Sequence, residues 1–201
     1  MRARMALAVS GADPELREVV LRHKPAAMLE AGSKATVPLL LLADGRVLEE
    51  SLEVMDWCLS VSDPLGWLNA RQDATLCELL QVNDGPFKAA VDRYKYPQRS
   101  GRDRDDEAAR AGVERLASLE SALNSDYLAG ASPGFFDAAL FPFVRQFAAV
   151  DDIWFDALPL PNVRAWRKRL LVHPLFTTVM RKLVPWAPQS DPVRFRESLL
   201  A

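Results

Sequence analysis

The sequence predicts two parts, a mixed α/β segment over residues 1–61 and an all-helical segment over residues 66–201. Three observations carry this. A continuous apolar run from Val37 to Leu42 is followed by Asp44-Gly45 and a second short apolar stretch, the pattern of strand, hairpin turn and strand. Beyond Trp67 the apolar residues recur at helical spacing and no convincing strand is found. Within that half, "FFDAALFPFVRQFAAV" is apolar nearly all round, as a helix buried at the centre of a bundle must be.

The elements follow in order. "ARMALAVSG" is a short apolar helix stopped by Gly11. "LREVVL", Leu16 to Leu21, is a short β-rich run. Pro25 opens a helical turn where its missing N–H costs nothing. Val37 to Leu42 reads as a buried strand, and "ESLEVMDWCLS" as an amphipathic helix with Leu52, Met55 and Leu59 on one side. "SDPLGW", Ser62 to Trp67, is the linker. Leu76, Leu79, Leu80, Asn83, Phe87, Val91 and Tyr94 then share one helical face, and Ala109, Val113, Leu116, Leu119 and Leu123 share the next. The polar loop "YPQRSGRDRDD" separates them. Pro142 should kink the central helix. Arg145 on the same helix is expected to be partly buried and paired, in a structural salt bridge or a ligand role. Prolines open the last two helices, "PNVRAWRKRLLVH" and "PLFTTVMRKL".

Composition narrows the function classes. The chain has 201 residues, 49% of them apolar and 26% charged, with a net charge of −2, so neither nucleic acid nor an anionic membrane is an expected partner. No apolar run approaches the roughly 20 residues that span a bilayer. Two cysteines, Cys58 and Cys77, are too few for a disulfide framework, and a reducing cytosol is the expected compartment. Both read as buried apolar fillers rather than nucleophiles. The two histidines, His23 and His173, have no ligand spacing, so no metal site is expected.

Two short constellations carry chemistry. Val37-Pro38 puts a proline at the head of a buried run, where it removes a ladder donor. Glu50-Ser51 stands at the start of a helix. Ser51 there is either a cap or first-turn residue, or part of a site in which the helix N-terminus receives a carboxylate while Glu50 holds an ammonium.

With these residues in place, the stretch "KATVPLLLLADGRVLEESLEVMDWCL" resembles the glutathione S-transferase family in order and spacing, and "NDGPFKAAVDRYKYP" with "FFDAALFPFVRQFAAVDDIWFD" resembles the helical half of a bacterial, cysteine-type branch. The resemblance implies a thioredoxin-like N-terminal domain, here without its first strand, followed by an all-helical C-terminal domain. It implies a cis bond at Val37–Pro38, with the Val37 backbone pairing with the cysteinyl part of glutathione. Glu50 and Ser51 would bind the γ-glutamyl end. Lys34, with Lys24 as a second candidate, would face the glycyl carboxylate. Ser33 and Ala35 stand where the family has Pro and Gly, an exchange expected to loosen the approach loop. Gly134 stands where the family has Ser or Thr three residues before Asp137, the landmark of the core helix's capping box. Tyr94, Phe147 and Trp154, with Tyr96 and Phe143, would either line an open site for a second, hydrophobic or disulfide substrate or form core.

The family's Cys-Pro motif would come just before Arg2-Ala3-Arg4, so the sequence as given is expected to lack the catalytic residue. The reading is a cytosolic, homodimeric glutathione-binding protein whose full-length form is a thiol transferase or conjugating enzyme of detoxification. The alternative is a non-catalytic glutathione S-transferase-like binding or interaction module. A purely structural helical protein leaves the Val-Pro and Glu-Ser spacing unexplained.

Overall fold

The computed structural model of the protein describes residues 1–101, 103 and 105–200, with only the backbone of Ser100. Arg102 and Arg104 of the polar loop therefore lie outside the described residues. The chain forms two compact units: Met1–Leu65 with Pro174–Ala201, and Gly66–His173. Residues from Pro174 onward, which the sequence groups with the other helices, thus pack with the N-terminal half. Among the described residues no helix is long and apolar enough to cross a membrane.

In the first unit, α1 (Arg2–Ser10) buries Ala3, Met5, Ala6 and Leu7. It ends where Gly11 takes a φ of 72° and donates its N–H to Leu7 O. α2 (Ala26–Ala31) follows Pro25 and buries no residue. β1 (Leu40–Leu41) and β2 (Val47–Leu48) pair antiparallel, Leu40 opposite Leu48 and Leu41 opposite Val47. The turn between them has Gly45 at a φ of 86°. α3 (Ser51–Val61) packs on α1 through Val54, Met55, Cys58 and Leu59, all buried.

Two expectations for this unit change. Val37 to Leu42 is not a buried strand along its length. It pairs over only two residues, and Leu41 remains 59% exposed. Leu16 to Leu21 forms no strand either; Glu15 bridges Arg194 and Val20 bridges His23. The cause is the same in both places, because a strand exists only where a second chain segment takes its N–H and C=O groups. The segment that meets residues 14–18 is the C-terminal one. Leu16 N–H donates to Val193 O (2.7 Å), Phe195 N–H to Pro14 O (2.9 Å) and Trp186 N–H to Glu18 O (2.8 Å). α10 (Pro174–Val179) and α11 (Phe195–Ser198) complete the unit, with Phe195 buried.

The second unit is helical, and its described residues contain no strand. A 3₁₀ turn (Trp67–Gln72) leads to α4 (Ala74–Val82), whose first turn is capped by Asp73 accepting Leu76 N–H at 3.0 Å. One π turn (Asn83–Phe87), containing Pro86, joins α4 to α5 (Lys88–Lys95). α6 (Asp106–Ala122) begins at the buried Asp105, which accepts Ala108 N–H and pairs with Arg93. α7 (Phe135–Ala148) is the buried centre and runs unbroken through Pro142, with Arg145 half-buried. α8 (Asp152–Asp156) and α9 (Pro161–Val172) pack around it. Gly112 of α6 is required by close approach: a Cβ there would sit 2.4 Å from the Phe147 ring.

Candidate functional site at the heads of two helices

Two helix N-termini meet in the first unit. α1 begins at Arg2 and α3 at Ser51, and Arg2 Nη1 donates to Ser51 Oγ at 3.5 Å from a buried position. Both ends present backbone N–H groups and the positive pole of a helix dipole. Glu50 is the capping position of α3, and Glu53 Oε2 accepts its N–H at 3.1 Å, so an acid of the first turn folds back on the residue before the helix. Lys34 reaches the same place from the preceding loop. Its Nζ lies 2.5 Å from Glu50 Oε1, and that hydrogen bond together with the attraction of Glu50 holds the ammonium above its ordinary pKa. The pair is exposed, so it adds little to stability. Its value is positional, because it keeps a cation and a carboxylate together at the head of α3.

Val37–Pro38 is cis, and Val37 is half exposed in the same loop. The structure thus brings Lys34, Glu50 and Ser51 together and places Val37 and Pro38 a few residues along the loop that carries Lys34. Lys24 is half-buried, just before Pro25.

Three residues escape a reading of the sequence. Arg2 is one; an arginine opening an apolar helix is its only signal. Glu49 is the second. Its Oε1 accepts Ser33 N–H and Lys34 N–H, each at 2.8 Å, and its Oε2 accepts Ser33 Oγ–H at 2.6 Å. These donors, Ser33 Oγ first, hold its carboxyl below the ordinary range. The doublet Glu49-Glu50 is the available signal, since neighbouring side chains of an extended chain point to opposite sides and two adjacent acids rarely share one task. Gly32 is the third. A Cβ there would meet Leu39 at 2.4 Å and Glu49 Oε1 at 2.8 Å. The expectation that Ser33 loosens the approach loop is corrected by the same contacts, because Ser33 supplies two donors to Glu49 where a proline has none.

Tyr94, Phe147 and Trp154 do come together, in the second unit. Ring centroids lie 5.3 Å apart for Tyr94–Phe147, 5.8 Å for Tyr94–Trp154 and 6.1 Å for Phe147–Trp154. Tyr94 and Phe147 are buried and Trp154 is half-buried. Phe87 and Phe155 extend the same cluster. The cysteines offer no nucleophile. Burial pushes the Cys58 thiol up to about 11, against a weaker hydrogen bond with Ser10, and Cys77 Sγ donates to Arg71 O at 3.3 Å.

Residues 1–60 match the sequence model of the glutathione S-transferase N-terminal domain. Comparison with curated proteins gives no match. Among solved structures, glutathione S-transferase III in its apo form superposes with a TM-score of 0.70 at 23% identity, over 92% of this chain and 93% of its own. A glutathione S-transferase from Xanthobacter autotrophicus Py2 gives 0.65 at 25% identity, over 86% and 87%. Glutathione S-transferase-I bound with lactoylglutathione gives 0.66 at 22% identity, over 89% and 91%. Residues 1–60 therefore match a glutathione S-transferase N-terminal domain, and the chain has the fold of these structures, a thioredoxin-like N-terminal domain followed by a helical C-terminal domain.

Proposed function

We propose that the head of α3 and the loop before β1 bind glutathione. Ser51 and the N-terminal amides of α3 take the γ-glutamyl carboxylate, and Glu50 takes the neighbouring ammonium. The backbone of Val37 pairs with the cysteinyl residue, and Pro38 fixes that stretch of chain. Lys34 faces the glycyl carboxylate. The observation that carries this reading is the juxtaposition of Arg2, Lys34, Glu50 and Ser51 at one place, with contacts of 2.5 and 3.5 Å. A zwitterionic end and a carboxylate at opposite ends of one ligand match that set. The structural neighbour bound with lactoylglutathione supports the ligand class.

Thiol transfer or conjugation needs the glutathione thiol, ordinarily near a pKa of about 8.5, to be lowered. Trp154 is the aromatic we place against a second substrate, backed from inside by Tyr94 and Phe147. A second reading, a glutathione-binding module without turnover, is favoured for residues 1–201 by the state of the two thiols, one buried with its pKa near 11 and one bonded to a carbonyl.

Calorimetric titration of the 201-residue chain tests the reading. Ser51→Ala is expected to weaken glutathione binding by about tenfold, the loss of one hydrogen bond to a charged group. The same protein is expected to turn over an electrophile near the uncatalysed rate. Equal affinity of the wild type and Ser51→Ala removes Ser51 from the site, and turnover at an ordinary enzymatic rate means that a residue within the chain activates the sulfur.

A further inference from the structure

The parts of the candidate site that take the two ends of the ligand lie on separate pieces of chain, Lys34 on the 33–34 turn and Glu50 and Ser51 at the head of α3. Their spacing must be held by something other than the exposed Lys34–Glu50 pair, because the ligand would have to part those two side chains to use them. One residue spans both pieces. Glu49 directly precedes the α3 cap, and its carboxylate takes both backbone N–H groups of residues 33 and 34 and the Ser33 hydroxyl. Three donors on one carboxylate define its position and the turn's position together. Gly32 leaves room for this arrangement, since a Cβ there would sit 2.4 Å from Leu39 Cδ1 and 2.8 Å from Glu49 Oε1, and one of the two side chains would have to shift. The backbone N–H of Glu49 is itself held by Glu53 Oε2 at 3.3 Å, which ties the clamp to the first turn of α3.

We propose that Glu49 is a positioning residue of the glutathione site: it locks the 33–34 turn to the head of α3 and so sets the distance between the part that takes the glycyl end and the part that takes the γ-glutamyl end. This rests on the glutathione reading above. A role in spacing affects only ligands long enough to use both ends. A role in stability, or a general charge effect, affects short and long ligands alike.

Calorimetric titration of the full chain with glutathione and with γ-glutamylcysteine, which lacks the glycyl end, separates these. Glu49→Ala is expected to weaken glutathione by about tenfold and γ-glutamylcysteine by less than about twofold. Glu49→Gln is expected to stay within about threefold of the wild type for both. Its carbonyl oxygen still accepts the two amides, and its NH₂ can donate to the Ser33 hydroxyl. Ser33→Ala, which removes one donor and leaves the acid in place, is expected to weaken glutathione alone by about threefold; it carries the test if Glu49→Ala fails to fold. Equal weakening of both ligands by Glu49→Ala, unchanged glutathione binding, or a Glu49→Gln variant as impaired as Glu49→Ala each overturns the spacing role while the glutathione reading stands. A wild type that binds neither ligand overturns the reading, and the role with it.

Discussion

Ala35 adopts a φ of 51°, in the left-handed region, one residue past the clamped turn. A Cβ in that region crowds the following carbonyl, at a cost of roughly 1–2 kcal/mol for an L-residue, while glycine adopts it freely but loses more entropy on folding. Ala35→Gly is therefore expected to stabilise the first unit by about 0.5–1 kcal/mol, read as a higher urea midpoint at unchanged slope. A lower midpoint would mean that the turn relaxes and the φ is not enforced. Nothing local in the sequence shows that Ser33, two residues earlier, bonds Glu49. A hydroxyl and two amides gathered on one carboxylate depend on residues sixteen and fifteen positions apart in the chain. No local pattern reports such a contact.

At the scale of elements, α7 is set by its composition and anchored by one buried acid. Asp137 Oδ1 accepts Trp166 Nε1–H at 2.7 Å and Leu128 N–H at 3.0 Å, and its Oδ2 accepts Gly134 N–H at 2.8 Å. Burial pushes its carboxyl above the ordinary range, and the three donors pull against that. The capping geometry survives with glycine at position 134 because the bond that remains runs from the Gly134 backbone to Asp137, not from a side chain. Asp137→Ala would leave three buried donors without an acceptor and is expected to cost about 3–4 kcal/mol, measured by urea unfolding of the chain. A loss under about 1 kcal/mol would show that water reaches the site and takes the acid's place. The run from α4 to α5 is the complementary case. Its apolar spacing is legible in the sequence, yet Pro86 forces one π turn, because it lacks an N–H and crowds the carbonyl four residues back. The buried face from Leu76 to Tyr94 persists across the wider turn.

At the scale of the whole chain, the N-terminal unit is completed by residues from Pro174 onward. Phe195 is 1% exposed, its N–H bonds Pro14 O, Arg194 pairs with Asp13, and Arg196 N–H donates to Asp13 Oδ1 at 2.7 Å. The Arg17 guanidinium lies 4.5 Å over the Trp186 ring. The C-terminal segment thus supplies both backbone partners and a buried aromatic to the part of the molecule that carries the candidate site. Phe195→Ala is expected to destabilise the chain by about 3 kcal/mol, with the new calorimetric transition lowered and the C-terminal residues cleaved first in limited proteolysis. Unchanged melting and proteolysis would mean that the segment is an appendage and the first unit holds itself together.

By itself the sequence determined the class of each half and the place of the short motifs. The hairpin at Asp44-Gly45, the start of α3 at Glu50-Ser51, the apolar face from Leu76 to Tyr94 and the all-round apolar α7 are consequences of local period and turn chemistry, which depend only on neighbouring residues. Tertiary structure alone decided the rest. It paired Arg2 with Ser51, set Glu49 on the 33–34 turn, buried Tyr94 and Phe147 among other rings, and gave residues 14–18 their partners from the opposite end of the chain. The physical reason is that backbone donors, buried charges and close glycine contacts are satisfied by whatever the folded chain brings near, and sequence distance carries no information about that nearness.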